Sequence, residues 1–164
     1  MTNQESPRPW HVGDWPRLAW LETAIKCLAF IIGGVILVAT LIEGAYLFPR
    51  DLRLVQLIIQ LILAIGLVAA IADRWIEREL ISLFFVIPNV IVHWGVALAL
   101  VSKVQFDVAL SLFFGLMLVG DLVKIRFLSK HQFSVRDVSP TILYGLTLTY
   151  VVGYSLNLII QLIR

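Results

Sequence analysis

The amino-acid sequence predicts an all-α fold, a polytopic integral membrane helix bundle of about five transmembrane helices. Three observations lead there. First, five long stretches carry no Asp, Glu, Lys or Arg: Cys27–Ile42, Leu54–Ala72, Leu80–Ser102, Val108–Gly120 and Thr141–Ile163. A hydrocarbon core about 30 Å thick needs about 20 helical residues; three of the stretches reach that length outright, and two reach it once an acid is admitted. Second, 60% of the 164 residues are hydrophobic and 15% are charged, and mean hydropathy is +0.92. Soluble domains hold about 45–50% apolar and about 25% charged residues, so the excess must face lipid. Third, the charges lie almost wholly between the stretches, and the connections are too short to fold as a separate domain.

Residues 1–23 read as a cytoplasmic tail and 24–164 as the bundle, with spans at about 27–47, 54–72, 80–102, 106–123 and 141–163. Asp14 is placed to cap a helix opening at Trp15-Pro16, because proline is tolerated in a first turn. Trp10, Trp15 and Trp20 precede the first span; indole is apolar with one N–H donor and favours the headgroup layer. The first stretch is longer than the apolar core of a cleaved signal, which is about 7–15 residues, and reads as a retained signal anchor.

Pro49-Arg50-Asp51 reads as a tight turn that makes spans 1 and 2 antiparallel neighbours, with Asp51 capping span 2. A short charged connection, Asp73 to Glu79, leads to span 3. Pro88-Asn89 interrupts span 3 near its middle; proline removes one helix hydrogen bond and frees a carbonyl that the Asn89 amide is placed to satisfy. Span 4 must include Asp121, for which Lys124, three residues on, is the expected partner. Lys124 to Ser139 reads as the longest loop, its basic residues meeting anionic headgroups and its Phe127, Leu128 and Phe133 dipping into the interface. Ser139 caps and Pro140 opens span 5.

Lys and Arg sort unevenly. One side holds nine (Arg8, Arg17, Lys26, Arg74, Arg78, Lys124, Arg126, Lys130, Arg136) and the other holds Arg50, Arg53, Lys103 and Arg164. That asymmetry places the N-terminus in the cytoplasm and the C-terminus outside, in a plasma (inner) membrane.

Polar groups inside a bilayer are costly and face protein or water. Glu43, Gln56, Gln60, His93 and Asp107 all fall in the outer half. Gln56 and Gln60 share a helix face. Together these residues form either a polar vestibule, with Glu43, Gln60 and His93 approaching one another, or interhelical hydrogen-bond glue. In span 5, Thr147, Tyr150, Tyr154, Asn157 and Gln161 lie on one helical stripe. Gly145, Thr149 and Gly153 form an adjacent small-residue stripe suited to close packing, as do the pairs Ala29/Gly33 and Ser111/Gly115. Leu148, Val151, Val152, Leu158 and Ile159 fill the lipid side.

The candidate intramembrane polar site is therefore Glu43, Gln56, Gln60, Asn89, His93, Tyr150, Tyr154 and Asn157. The candidate helix-packing residues are Gly145, Thr149 and Gly153. No HxxxH, ExxH or HExxH spacing is present, a single cysteine excludes an intramolecular disulfide, and there is no N-x-S/T sequon or basic nucleic-acid arm. No catalytic, cofactor or metal site is expected, and no enzyme activity. The lipid bilayer is one expected partner; a membrane-protein partner or a second copy is the other. The leading functional reading is a non-enzymatic protein that works through helix contacts as a subunit, assembly factor or homo-oligomer. The alternative is a small transporter or channel built around Glu43 and His93.

Overall fold

The computed structural model describes residues 15–76, 80–130 and 140–164. They form α1 (Arg17–Glu43), α2 (Asp51–Ile76), α3 (Leu80–Val101), α4 (Asp107–Lys130) and α5 (Pro140–Ile163). All five helices are long and apolar enough to cross a membrane. Between 22% and 39% of each apolar window is buried, so every helix keeps part of its apolar surface outside the core, as a lipid-embedded bundle allows. The protein is a multi-pass membrane helical bundle.

Several boundaries differ from the sequence reading. α1 ends at Glu43, four residues before the expected Leu47. Gly44 terminates it in the left-handed conformation (φ 61°), and its N–H reaches the Thr40 carbonyl, a C-cap geometry that glycine adopts without a Cβ penalty. At the other end Pro16, in an extended conformation, takes the N-cap position without a side-chain cap; the Asp14 cap lies outside the described residues. Asp51 opens α2 with φ 54°, and α2 continues into the charged segment as far as Ile76. Span 4 forms fully. α4 extends through Lys130, so the loop expected from Lys124 is helical in its first half. Phe127 is correspondingly buried rather than dipping into an interface. The Ser139 cap and Phe133 lie outside the described residues.

The helices pack in a closed ring in the order α1, α4, α5, α2, α3 and back to α1. Each helix touches two neighbours and contributes a buried face to a common centre. We call the end where α1, α3 and α5 finish the far end, and the end that carries the N-terminus the near end. Spans 1 and 2 are not the neighbours that the Pro49 turn suggested, because α3 sits between them. The chain from Ala45 to Leu47 runs extended across the far end of α3. Leu47 N–H donates to the Val101 carbonyl (2.8 Å), Lys103 N–H donates to the Ala45 carbonyl (3.0 Å), and Tyr46 pairs with Ser102 in an antiparallel bridge. A seven-residue connection can reach over a helix about 10 Å across, so a short loop did not force adjacency.

Small residues set the α1–α3 contact. A Cβ on Gly33 would lie 2.8 Å from Val92 Cβ, and one on Gly95 would lie 2.7 Å from Leu37 Cβ. Each helix therefore docks a branched or aliphatic residue onto a glycine of the other, with backbones in close approach. Ala29 and Gly33 are both buried, as the sequence suggested. Gly115, by contrast, meets open space. The ring centre is filled by Phe113, Phe114 and Met117 of α4, Val96 and Leu100 of α3, Ile36 of α1, Leu63 of α2 and Tyr154 of α5.

Candidate functional site: a polar column inside the ring

His93 lies in the core of α3 with no exposed surface. Its Nδ1 is 2.7 Å from the Asn89 carbonyl one turn earlier. A carbonyl can only accept, so Nδ1 carries the hydrogen and Nε2 is left as an acceptor. The Tyr154 hydroxyl of α5 lies 2.5 Å from Nε2 and donates to it. Across the ring, the Gln60 amide of α2 donates to the His93 carbonyl (3.0 Å). Phe113 of α4 meets the imidazole edge-on, with centroids 5.4 Å apart. Helices α4 and α5 thus meet the imidazole itself while α2 meets the backbone of the same residue, and the ring's orientation is set on both nitrogens.

Toward the far end the polar groups continue as a hydrogen-bonded chain. Gln56 Nε2 donates to the Asn157 carbonyl (3.0 Å) and to Gln161 Oε1 (3.1 Å). Gln161 Nε2 in turn donates to Asp107 Oδ1 (2.7 Å). Arg164 pairs with the same carboxylate oxygen. The Asp107 side chain is 48% exposed, so the chain starts at the surface and ends at groups with no exposure. On the adjoining turn the Tyr150 hydroxyl donates to the Leu63 carbonyl (2.9 Å).

This chain leaves polar atoms unpaired. Gln56 Oε1, Gln60 Oε1 and both side-chain atoms of Asn157 are buried without a hydrogen-bond partner in the protein, and all three residues have no exposed surface. An unpaired buried polar group costs about 1–3 kcal/mol, and native proteins satisfy such groups, frequently with internal water. If these amides served only to tie helices together, each would be expected to use both of its ends.

Toward the near end lies an interhelical ion cluster. Lys26 of α1 contacts Glu22 on its own helix (2.7 Å) and Asp121 of α4 (2.6 Å). The Asp121 side chain is 6% exposed. Its carboxylate is thus held by a lysine of another helix, not by Lys124 alone as the three-residue spacing implied. Beside the cluster, a cleft of about 160 Å³ between α1, α3 and α4 is lined by Glu22, Lys26, Phe30, Phe85, Asn89 and Lys124, among others. The Asn89 amide does not satisfy the carbonyl freed by Pro88; it lines this cleft, with its Oδ1 buried and unpaired.

Seven of the eight candidate polar residues therefore lie within the ring or along its cleft: Gln56, Gln60, Asn89, His93, Tyr150, Tyr154 and Asn157. Glu43 does not. It is the last residue of α1, is exposed, and makes no hydrogen bond or ion pair among the described residues. Of the three residues expected to approach one another, Gln60 reaches the His93 backbone, whereas Glu43 stands apart, since α1 ends there and turns its last residue outward. The span 5 stripe is inward along its whole length: Thr147, Tyr154, Asn157 and Gln161 are buried and Tyr150 is half-buried. The small-residue stripe divides. Gly153 is buried against Leu63, whereas Gly145 and Thr149 are exposed. Leu158, expected to face lipid, packs partly against the core.

Sequence reasoning missed two pairings: Lys26 with Asp121 at the near end, and Asp107 with Gln161 and Arg164 at the far end. The signal at the near end was charge, an acid inside one apolar stretch and a lysine at the edge of another, each needing a partner. Among the described residues no group of three or more His, Cys, Asp or Glu is placed to hold a metal ion. No known protein family, curated protein or solved structure matches the chain.

Proposed function

We propose that the protein is a small, non-enzymatic membrane transport protein, in which the ring guides a small polar species along its centre. The observation that carries this reading is the set of unpaired amide atoms on Gln56, Gln60 and Asn157. They lie between a surface-exposed carboxylate at one end and an ion-lined cleft at the other. Intramembrane polar groups that face a bundle interior mark pathways more often than lipid contacts. The excess of Lys and Arg on one side supports a plasma (inner) membrane protein whose N-terminus and near end are cytoplasmic.

The test is permeability. The full chain is reconstituted in phosphatidylcholine/phosphatidylglycerol vesicles and compared with empty vesicles for proton flux and for water, urea and glycerol entry by stopped-flow light scattering. At least one species should cross faster with the protein present, and Asn157→Leu should remove that excess. No excess for any species overturns the reading.

A second reading rests on a separate observation. Gly145 and Thr149 face outward on α5, with open space at Gly145. That face suits close approach by a helix of a second copy or of a membrane-protein partner. Gly145→Leu would then abolish crosslinking between copies in the membrane; unchanged crosslinking removes this face as an interface.

A further inference from the structure

We infer that the buried amides of Gln56, Gln60 and Asn157 are the selectivity site of the column, and that the site takes a neutral hydrogen-bond donor of one heavy atom, water or ammonia. This rests on the transport reading above and names the chemical class of its cargo.

The argument starts from which end of each amide is committed. A carboxylate oxygen only accepts, so the end of Gln161 that meets Asp107 Oδ1 at 2.7 Å is its nitrogen. The other end, Oε1, therefore faces Gln56 and fixes the Gln56 nitrogen there (3.1 Å). The Asn157 backbone carbonyl accepts a second hydrogen from that nitrogen (3.0 Å). Turning the Gln56 amide over would set its oxygen against two other oxygens. Gln60 is fixed in the same way, because its nitrogen donates to the His93 carbonyl (3.0 Å). Gln56 and Gln60 thus each present an oxygen, buried and unpaired, which can only accept. The Asn157 amide has both ends unpaired, so it can offer a donor or an acceptor.

That inventory selects the guest. Two fixed acceptors demand hydrogens from it. A species that only accepts, such as nitrate or chloride, sets lone pairs against lone pairs and leaves both amides unsatisfied. The guest's own lone pair finds a donor in Asn157 Nδ2. A cation is disfavoured as well. It would meet three neutral side-chain amide oxygens, too few to replace a hydration shell. The nearest acid on the far side, Asp107, is already held by Gln161 and Arg164. Size is limited by the two helices that carry the amides. On adjoining turns α2 and α5 are locked at close range, with Gly153 against Leu63 and the Tyr150 hydroxyl on the Leu63 carbonyl. Gln56, Gln60 and Asn157 have no exposed surface, nor has Tyr154 beside them. A solute of several heavy atoms, such as urea or glycerol, would have to part that seam. Water and ammonia meet all these conditions: each is neutral and small, donates hydrogens and keeps a lone pair. On the near side of the amides the Tyr154 hydroxyl is bonded to His93 and closes the column, so a guest moves on when that contact parts.

The experiment uses the full chain in phosphatidylcholine/phosphatidylglycerol vesicles, followed by stopped flow against empty vesicles. Osmotic shrinkage reports water. Alkalinisation of an entrapped pH dye after an ammonium chloride pulse reports ammonia. Reswelling reports urea and glycerol, and swelling in potassium nitrate with valinomycin reports nitrate. Water, ammonia or both should cross in excess, and urea, glycerol and nitrate should not. Gln60→Met is close to isosteric but has no amide oxygen; it should cut the excess about tenfold, the scale of one buried hydrogen bond withdrawn. Gln56→Met carries the same expectation. Glu43→Gln, outside the ring, should leave the flux unchanged. Circular dichroism and size exclusion report whether each variant retains the fold. Full excess in a folded Gln60→Met or Gln56→Met variant overturns the site. Excess entry of urea, glycerol or nitrate in wild type, or proton flux with neither water nor ammonia, overturns the assigned cargo and leaves the transport reading standing. Absence of every flux removes both.

Discussion

Replacing Lys26 by Met tests how the ring is held at its near end. The substitution keeps the chain length and the packing of the stem against Gly120, whose Cβ would come 3.1 Å from Lys26 Cγ. It removes the charge that faces Glu22 and Asp121. Glu22 sits toward the helix end at 15% side-chain exposure, while Asp121 is 6% exposed within the bundle. The loss therefore falls mainly on Asp121. Removing one partner of a buried pair costs about 3–5 kcal/mol, because the other charge stays buried without compensation. Some water reaches Lys26, whose side chain is 14% exposed, which points to the low end. About 3 kcal/mol is a shift of about two decades in the folding equilibrium. The assay is reversible unfolding in mixed dodecylmaltoside and dodecyl sulfate micelles, followed by circular dichroism. Lys26→Met should lose about 3 kcal/mol, and Lys26→Met/Asp121→Leu should recover most of it, since no orphaned acid remains on α4. A single variant within about 0.5 kcal/mol of wild type, or a double variant whose loss equals the sum of the singles, would refute the interhelical pairing.

Other outcomes follow from the same geometry. Gly33→Ala should destabilise by about 1–3 kcal/mol in the same unfolding assay, because its Cβ would meet Val92 Cβ at 2.8 Å and neither atom can swing away. Gly153→Leu should cost about 2–3 kcal/mol by separating α5 from Leu63 of α2, while Gly145→Leu, in open space on the same helix, should stay within about 0.5 kcal/mol in the isolated chain; equal losses would contradict the division of the stripe. Reporter fusions at Gln4 and after Arg164 should label opposite sides of the membrane, with the N-terminal one cytoplasmic. Both on one side would mean that the ring does not span five times.

Much of the fold was legible because membrane spans are written in long charge-free runs. Their existence follows from bilayer thickness alone, and all five formed. The inward stripe on α5 was legible for a related reason: polar groups at helical spacing in an apolar segment share one face, and that face must turn from lipid. What did not follow was which helices meet. The Pro49 turn implied that spans 1 and 2 pair, but loop length bounds reach and does not fix neighbours, and α3 intervenes. Glu43 failed with it, since its place in the vestibule depended on that pairing. Asp121 was assigned to the charge nearest in sequence, whereas Lys26, far away in the chain, is brought to it by the α1–α4 contact. Helix ends misled too. α4 runs on through charged residues to Lys130 because the apolar Phe127 on that turn has a buried place.

Transport along the column requires water at Asn157, which lies about 9 Å inside the far end of α5. In a Cys27→Ser background, Asn157→Cys and Leu156→Cys place a thiol one residue apart, the first on the buried inward face and the second on the exposed apolar face. Intact proteoliposomes are exposed to aqueous silver ion, and remaining thiols are counted with maleimide after unfolding. Thiolates react only where water reaches them. Silver should protect position 157 and leave position 156 free. Equal labelling at the two positions, or an Asn157→Cys thiol untouched by silver, would contradict a hydrated polar column.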